Sequence, residues 1–221
     1  MTYFVEVLAY LSSGALVSLA LFAATLTFSL PLGILLAYAG TARQKPLAAF
    51  VRGYVWIFRG TPLMLQLFFF LYGLPELGIR LDRMTVAVIA FVLNYAAYFA
   101  EIVRAGIESI EKDQSEAASV LGATRAQVFW YVLLPQGLMR QLPTIANEAV
   151  TLIKDTALVT VIAISDLLRQ VKELVSRDFT VTPFFAAALF YLAVSFLIGR
   201  FFRRLEKADA SNPRPTSLLA E

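Results

Sequence analysis

A chain of 221 residues that is 59% hydrophobic and only 16% charged carries too little charge for a soluble domain, where about a quarter of residues are charged. The mean hydropathy of +0.70 points instead to surface that faces lipid. The sequence contains no cysteine and no histidine, which excludes disulfides, thiolate chemistry and imidazole-based metal or acid–base sites, and it has no glycine-rich Walker loop to cradle a nucleotide phosphate.

Taken in chain order, the opening residues MTYFVEVLAY lack a basic region and a small-residue cleavage site, so the first apolar run is expected to stay as a membrane anchor. A spanning helix needs about 20 mostly apolar residues. The first candidate covers residues 14–39, with Pro31 as an expected kink. Residues 48–58 then read as an interfacial helix. The second span is expected over residues 61–77, with Thr61 as N-cap and Pro62 in the first turn. Further spans are expected over residues 84–103, 138–164 and 183–202, with a polar insert at 113–135. Residues 1–207 thus form one transmembrane domain, and the polar, proline-containing tail 208–221 is expected to be disordered.

A net charge of +3 raises the question of nucleic acid, but the basic residues lie in short clusters between apolar runs and form no binding stripe. With the N-terminus outside, the inner segments carry Arg43, Lys45, Arg52 and Arg59, then Arg104, Lys112, Arg125 and Arg140, then Arg200, Arg203, Arg204 and Lys207. The outer ones carry Arg80, Arg83, Arg169, Lys172 and Arg177. The positive-inside rule favours this orientation, with the C-terminus and the 113–135 insert in the cytoplasm.

That insert contains EAASVLGATRAQVFWYVLLP, residues 116–135. Asp113 and Glu116 offer a capping pair for a helix to about Leu121. Gly122 bends the chain, a second helix is expected from about Thr124 to Leu134, and Pro135 stops it. The small Ala117, Ala118 and Gly122 let such a knob sit deep in a partner's groove. The plainer alternative is an amphipathic loop helix in which Glu116 only caps its own N-terminus.

The fourth span holds NEAVTLIKDTALV, residues 147–159, with three charges at membrane depth. Each costs about 2.5–3.5 kcal/mol on insertion scales and usually faces a bundle interior or an aqueous cavity. Helical periodicity puts Glu148, Leu152, Asp155 and Val159 on one face and Asn147, Thr151, Lys154 and Leu158 on the next. Such a lining suits a zwitterion: the carboxylates take an ammonium or a cationic side chain, and Lys154 takes a carboxylate. The alternative is mutual neutralisation within the chain or across protomers. A net negative lining tilts the reading toward cationic amino acids. Gln66 is a candidate lining residue or a bond to a neighbouring helix, Arg59 a snorkelling side chain, and Glu101 a local ion-pair partner of Arg104.

The spacing of Glu116, Ala117, Ala118, Gly122 and Val132-Leu133-Leu134-Pro135 resembles the coupling loop of ATP-binding-cassette importer permeases, with Val132 where the family usually carries Ile. FRGTPLMLQL at 58–67, NYAAYFAEIVRAGI at 94–107 and IKDTALV at 153–159 resemble signatures of the polar amino-acid branch, the histidine/glutamine/arginine type. The resemblance implies an all-α transmembrane, five-span, MetI-like type I importer fold in a bacterial inner membrane. The implied partners are a second permease protomer, an external solute-binding protein and a cytoplasmic ATPase dimer that holds ATP and Mg. Glu148, Asp155, Asn147, Thr151, Lys154, Gln66 and Thr61 are the expected substrate residues, and Glu116, Ala117, Ala118, Gly122 and Pro135 the expected coupling residues. Three rivals are an ion-gradient-driven secondary transporter, a membrane enzyme with paired carboxylates, and an ion-channel subunit.

Overall fold

The computed structural model describes residues 2–42 and 44–210, and the regular structure among them is helical. Arg43 and most of the expected disordered tail, residues 211–221, lie outside the described residues. The first helix, α1, runs from Thr2 to Gly40, passes through Pro31 without interruption and begins well before the expected residue 14. Its extra N-terminal turns have a partner that the sequence reading did not anticipate, a helix α8 at Leu167–Asp178. Val7 and Leu11 pack on Leu167, Val171 and Leu174, and Tyr3 donates a 2.7 Å hydrogen bond to Asp178. The Arg177 guanidinium, and then the Tyr3 hydroxyl, hold the Asp178 carboxyl down to about 2.

Helices α2 (Lys45–Gly60) and α3 (Leu63–Glu76) meet at a bend of 104°. Thr61 does not cap α3 as expected. It adopts an extended conformation, φ −120° and ψ 143°, because the ring of Pro62 disfavours helical geometry in the residue before it. Its hydroxyl donates back to the Ile57 carbonyl at 2.8 Å, and Pro62 takes the N-cap position. The bend leaves the Phe58 carbonyl without its helical donor, since Pro62 has no N–H. Gln66 Nε2 and Asn94 Nδ2 supply donors at 3.0 Å each, so two side-chain amides splint the corner.

Helix α4 (Arg83–Glu108) is the centre of the molecule: 61% of its most apolar window is buried, against 22% for α1 and 11% for the last helix, α9 (Thr182–Ala210). Phe91, Tyr95 and Phe99 on α4 pack with Leu21, Leu67, Leu152 and Ile162 in the main core. Near its C-terminal end α4 crosses the helix α6 (Leu134–Arg140) glycine to glycine. A Cβ on Gly106 would lie 2.6 Å from the Gly137 carbonyl oxygen, so the two backbones touch only because neither carries a side chain. The expected tail boundary at 208 falls inside α9, whose last described residue is Ala210.

Two expectations for the middle of the chain are corrected. Pro135 does not end a helix. It sits in the first turn of α6, where a missing N–H costs nothing, and the chain reaches it through a wide π-turn at Val128–Leu133. The segment 138–164 is not one helix either. Pro143 starts a separate helix, α7 (Leu142–Asp155), which gives way to a tight 3₁₀ stretch at Thr156–Ile162 and a left-handed Ala163 at φ 61°. Among the described residues three helices are long and apolar enough to cross a membrane, and the bent α2–α3 pair makes a fourth candidate.

Candidate functional site

The α2–α3 corner, α4 and α7 line an open cavity of about 480 Å³. The corner contributes Arg59, Thr61 and Pro62; α4 contributes Asn94, Tyr95 and Tyr98; α7 contributes Glu148, Thr151 and Asp155; and Leu158 closes one side. The helical face that meets the cavity combines members of the two faces read from periodicity. Leu152 and Val159 are fully buried in the core instead, which rotates Thr151 and Leu158 toward the cavity beside Glu148 and Asp155.

Of the seven expected substrate residues, Thr61, Glu148, Thr151 and Asp155 line this space. Gln66 does not. It is buried behind the corner, donating to the Thr61 hydroxyl at 2.8 Å and accepting from Asn94 at 3.1 Å, so its amide is spent on structure. Asn147 and Lys154 are exposed and outside the cavity wall. The cation on the wall is Arg59, which sits 5.5 Å over the Tyr98 ring and 3.6 Å from Glu101. Tyr95 donates a 2.8 Å hydrogen bond to Asp155 Oδ2 and fixes that carboxylate. Sequence reasoning singled out none of Arg59, Asn94, Tyr95 and Tyr98 as lining residues. The signal was there in NYAAY: polar-tipped residues at i, i+1 and i+4 of an otherwise apolar helix.

Two carboxylates facing one guanidinium leave the cavity wall with an excess of one negative charge. Thr61, Tyr95, Tyr98 and Thr151 share the wall with them, an arrangement suited to an amine and a carboxylate on one small molecule. Among the described residues no acidic cluster converges in a way that holds a metal ion.

The 113–135 insert forms a bent knob. Helix α5 (Lys112–Val120) starts with Asp113 in its first turn, so Asp113 is not the cap; Glu111 occupies that position without a side-chain bond. Gly122 takes φ 86°, a left-handed conformation that ends the helix. Thr124 and Gln127 then form a reciprocal capping box that starts the next turn. Glu116 and Ala117 are exposed and Ala118 is half-buried. Val120 and Leu121, which sequence reading passed over, are 87% and 88% exposed at the tip. On its inner side the insert is anchored by Phe129 and Trp130, which pack against Tyr38 of α1.

Comparison with known proteins agrees with this architecture. Residues 29–208 match the family model described as "binding-protein-dependent transport system inner membrane component". The arginine transport system permease protein ArtQ of Bacillus subtilis (strain 168) is 35% identical over 205 residues, covering 92% of this chain and 94% of that protein. The glutamine transport system permease protein GlnP of Escherichia coli (strain K12) is 37% identical over 157 residues, 70% of this chain and 72% of its own length. A crystal structure of an amino acid ABC transporter with histidines superposes with TM-score 0.85 at 31% identity, covering 94% of this chain and 97% of that one. The methionine transporter MetNI in inward-facing form shares the fold, with TM-score 0.70 at 20% identity. The chain belongs to the binding-protein-dependent transport system inner membrane components. It is a multi-pass inner-membrane transport subunit and not an enzyme, and membership implies a separate ATPase and a substrate-binding protein as partners.

Proposed function

We propose that this chain, the permease component of an amino-acid ABC importer, passes a polar and preferably cationic amino acid through the 480 Å³ cavity. The observation that carries the preference is the wall charge: Glu148 and Asp155 against Arg59. The carboxylates take the substrate's ammonium or cationic side chain, and Arg59 takes its carboxylate, the part first given to Lys154. Arginine and glutamine, for which the two relatives are named, are both polar amino acids.

One protomer leaves the cavity open, so a homodimer or a pair with a close relative completes the path, and exposed Asn147 and Lys154 suit that facing side. The chain crosses the membrane five times, N-terminus outside and C-terminus in the cytoplasm, with the broken α6–α7–3₁₀ segment as the fourth crossing. The knob carrying Glu116, Ala117, Ala118 and Gly122 docks on an ATPase dimer that holds ATP and Mg. A solute-binding protein delivers substrate outside.

Glu148→Gln in the reconstituted permease–ATPase complex is expected to weaken amino-acid binding about tenfold, the effect of losing a charge-assisted contact, while the complex still assembles. Unchanged binding and uptake for every common amino acid would remove the site. Uptake that survived ATP depletion but collapsed with an ion gradient would favour a secondary transporter.

A further inference from the structure

Arg59 lines two cavities. Beyond it, away from Glu148 and Asp155, lies a second space of about 520 Å³ between Gly40 and Thr41 at the end of α1, Arg52 of α2, and Glu101, Arg104 and Glu108 of α4. A ladder of charges runs along that wall. Arg59 lies 3.6 Å from Glu101, Glu101 lies 2.6 Å from Arg104, and Arg104 lies 2.5 Å from Glu108. The rungs are unequal. Arg104 engages both oxygens of Glu101, through Nε at 2.8 Å and Nη2 at 2.6 Å, and leaves Arg59 a single, longer contact. The Arg59 side chain is 40% exposed and that of Glu101 30%, so neither is locked in the core.

A guanidinium presents a rigid fork of donors that fits any carboxylate, whether from the protein or from a ligand. Resting on the amino-acid reading above, we infer that Arg59 is an exchange residue. It holds the substrate carboxylate in the first cavity, and Glu101 competes for the same fork, so that re-pairing of Arg59 with Glu101 frees the substrate into the second cavity. Glu101 is a positioning residue in this step, itself held in place by the tighter pair with Arg104. Tyr98, beneath the guanidinium, supports its flat face in either pairing. The second cavity opens beside Thr41, Arg52 and Glu108, on the side that the basic residues assign to the cytoplasm.

The test uses the purified permease–ATPase complex, with binding of L-arginine, L-glutamine and their carboxamides measured alongside uptake in proteoliposomes containing the binding protein. The wild type is expected to prefer the free acid to the amide by about tenfold or more, and Arg59→Gln to erase that preference. Glu101→Gln removes the competitor, so binding tightens while uptake turnover falls, each by roughly threefold. The exchange of both residues, Arg59→Glu with Glu101→Arg, rebuilds the ion pair but not the anchor, and transport is expected to stay lost. Recovery of transport in that double variant, or equal amide discrimination in wild type and Arg59→Gln, overturns the inference. Arg59→Lys keeps the charge and serves as the folded control, with assembly followed by co-purification of the ATPase. If Glu148→Gln impairs binding while the Arg59 variants behave as a static clamp, only the exchange step fails. If Glu148→Gln changes nothing, the cavity assignment fails first.

Discussion

Tyr95 joins structure to chemistry through a single atom. Its ring is buried at the centre of the main core between Phe91 and Phe99, and its hydroxyl emerges at the cavity wall to hold Asp155. Tyr95→Phe keeps the packing and deletes one hydrogen bond to a charged group, an interaction worth about 1.5–3 kcal/mol. Amino-acid binding to the reconstituted complex is expected to weaken by about tenfold with the yield of folded complex unchanged; wild-type affinity would show that Asp155 needs no holder. The residue scale is also where sequence reading was least complete. Glu148 and Asp155 were legible because charge inside an apolar run is costly and therefore conspicuous. Tyr95 and Tyr98 were not, because an aromatic in an apolar helix looks like core until its hydroxyl finds a partner. Lys154 stands outside the cavity wall for a geometric reason: periodicity fixes which residues share a face, but not which face the neighbouring helices leave open.

At the scale of elements, the knob between α4 and α6 is built from local rules. The left-handed Gly122 and the Thr124–Gln127 box set its bend, and the Phe129–Trp130–Tyr38 cluster ties it to α1. Among the described residues nothing covers Val120 and Leu121, so these apolar tips contribute little to the fold of the isolated subunit. Leu121→Asp is therefore expected to leave yield and thermal stability within about 0.5 kcal/mol of wild type. ATPase co-purification should fall sharply, because a buried unpaired carboxylate in an interface is unfavourable. Full retention of the ATPase would move the docking surface elsewhere. The bend of this insert was readable from Gly122. The π-turn at Val128–Leu133 and the role of Pro135 inside α6 were not, since a proline that ends one helix and one that begins another look alike in sequence. Helix α8 was hidden by its length: Asp166 capping Leu168 and Arg169, with Leu167, Val171 and Leu174 behind it, makes a helix too short and too charged to register as a span.

At the scale of the whole molecule, the direction of transport depends on which end of the bundle faces the cytoplasm. The apolar spans were legible as composition. The break at Pro62 was legible too, with an interfacial helix ending before it, but the break at Pro143 was not, because it divides one apolar run into two helices. Two exposed markers sit in the segments assigned to opposite sides: Leu121 on the knob, 88% exposed, and Phe179 in the turn after α8, 94% exposed. The chain contains no cysteine, so a single introduced thiol reports its own side without background. In intact cells treated with a membrane-impermeant maleimide, Phe179→Cys is expected to react and Leu121→Cys to react only after the membrane is opened. Both variants replace side chains that touch little of the fold, so transport by the Phe179 variant checks that the native topology is being read. The reverse pattern would put the knob outside, where no cytosolic ATPase reaches it. Arg59 would then be handing its carboxylate out of the cell, and the direction of transport drawn from the basic residues would have to be abandoned together with the coupling role of the knob.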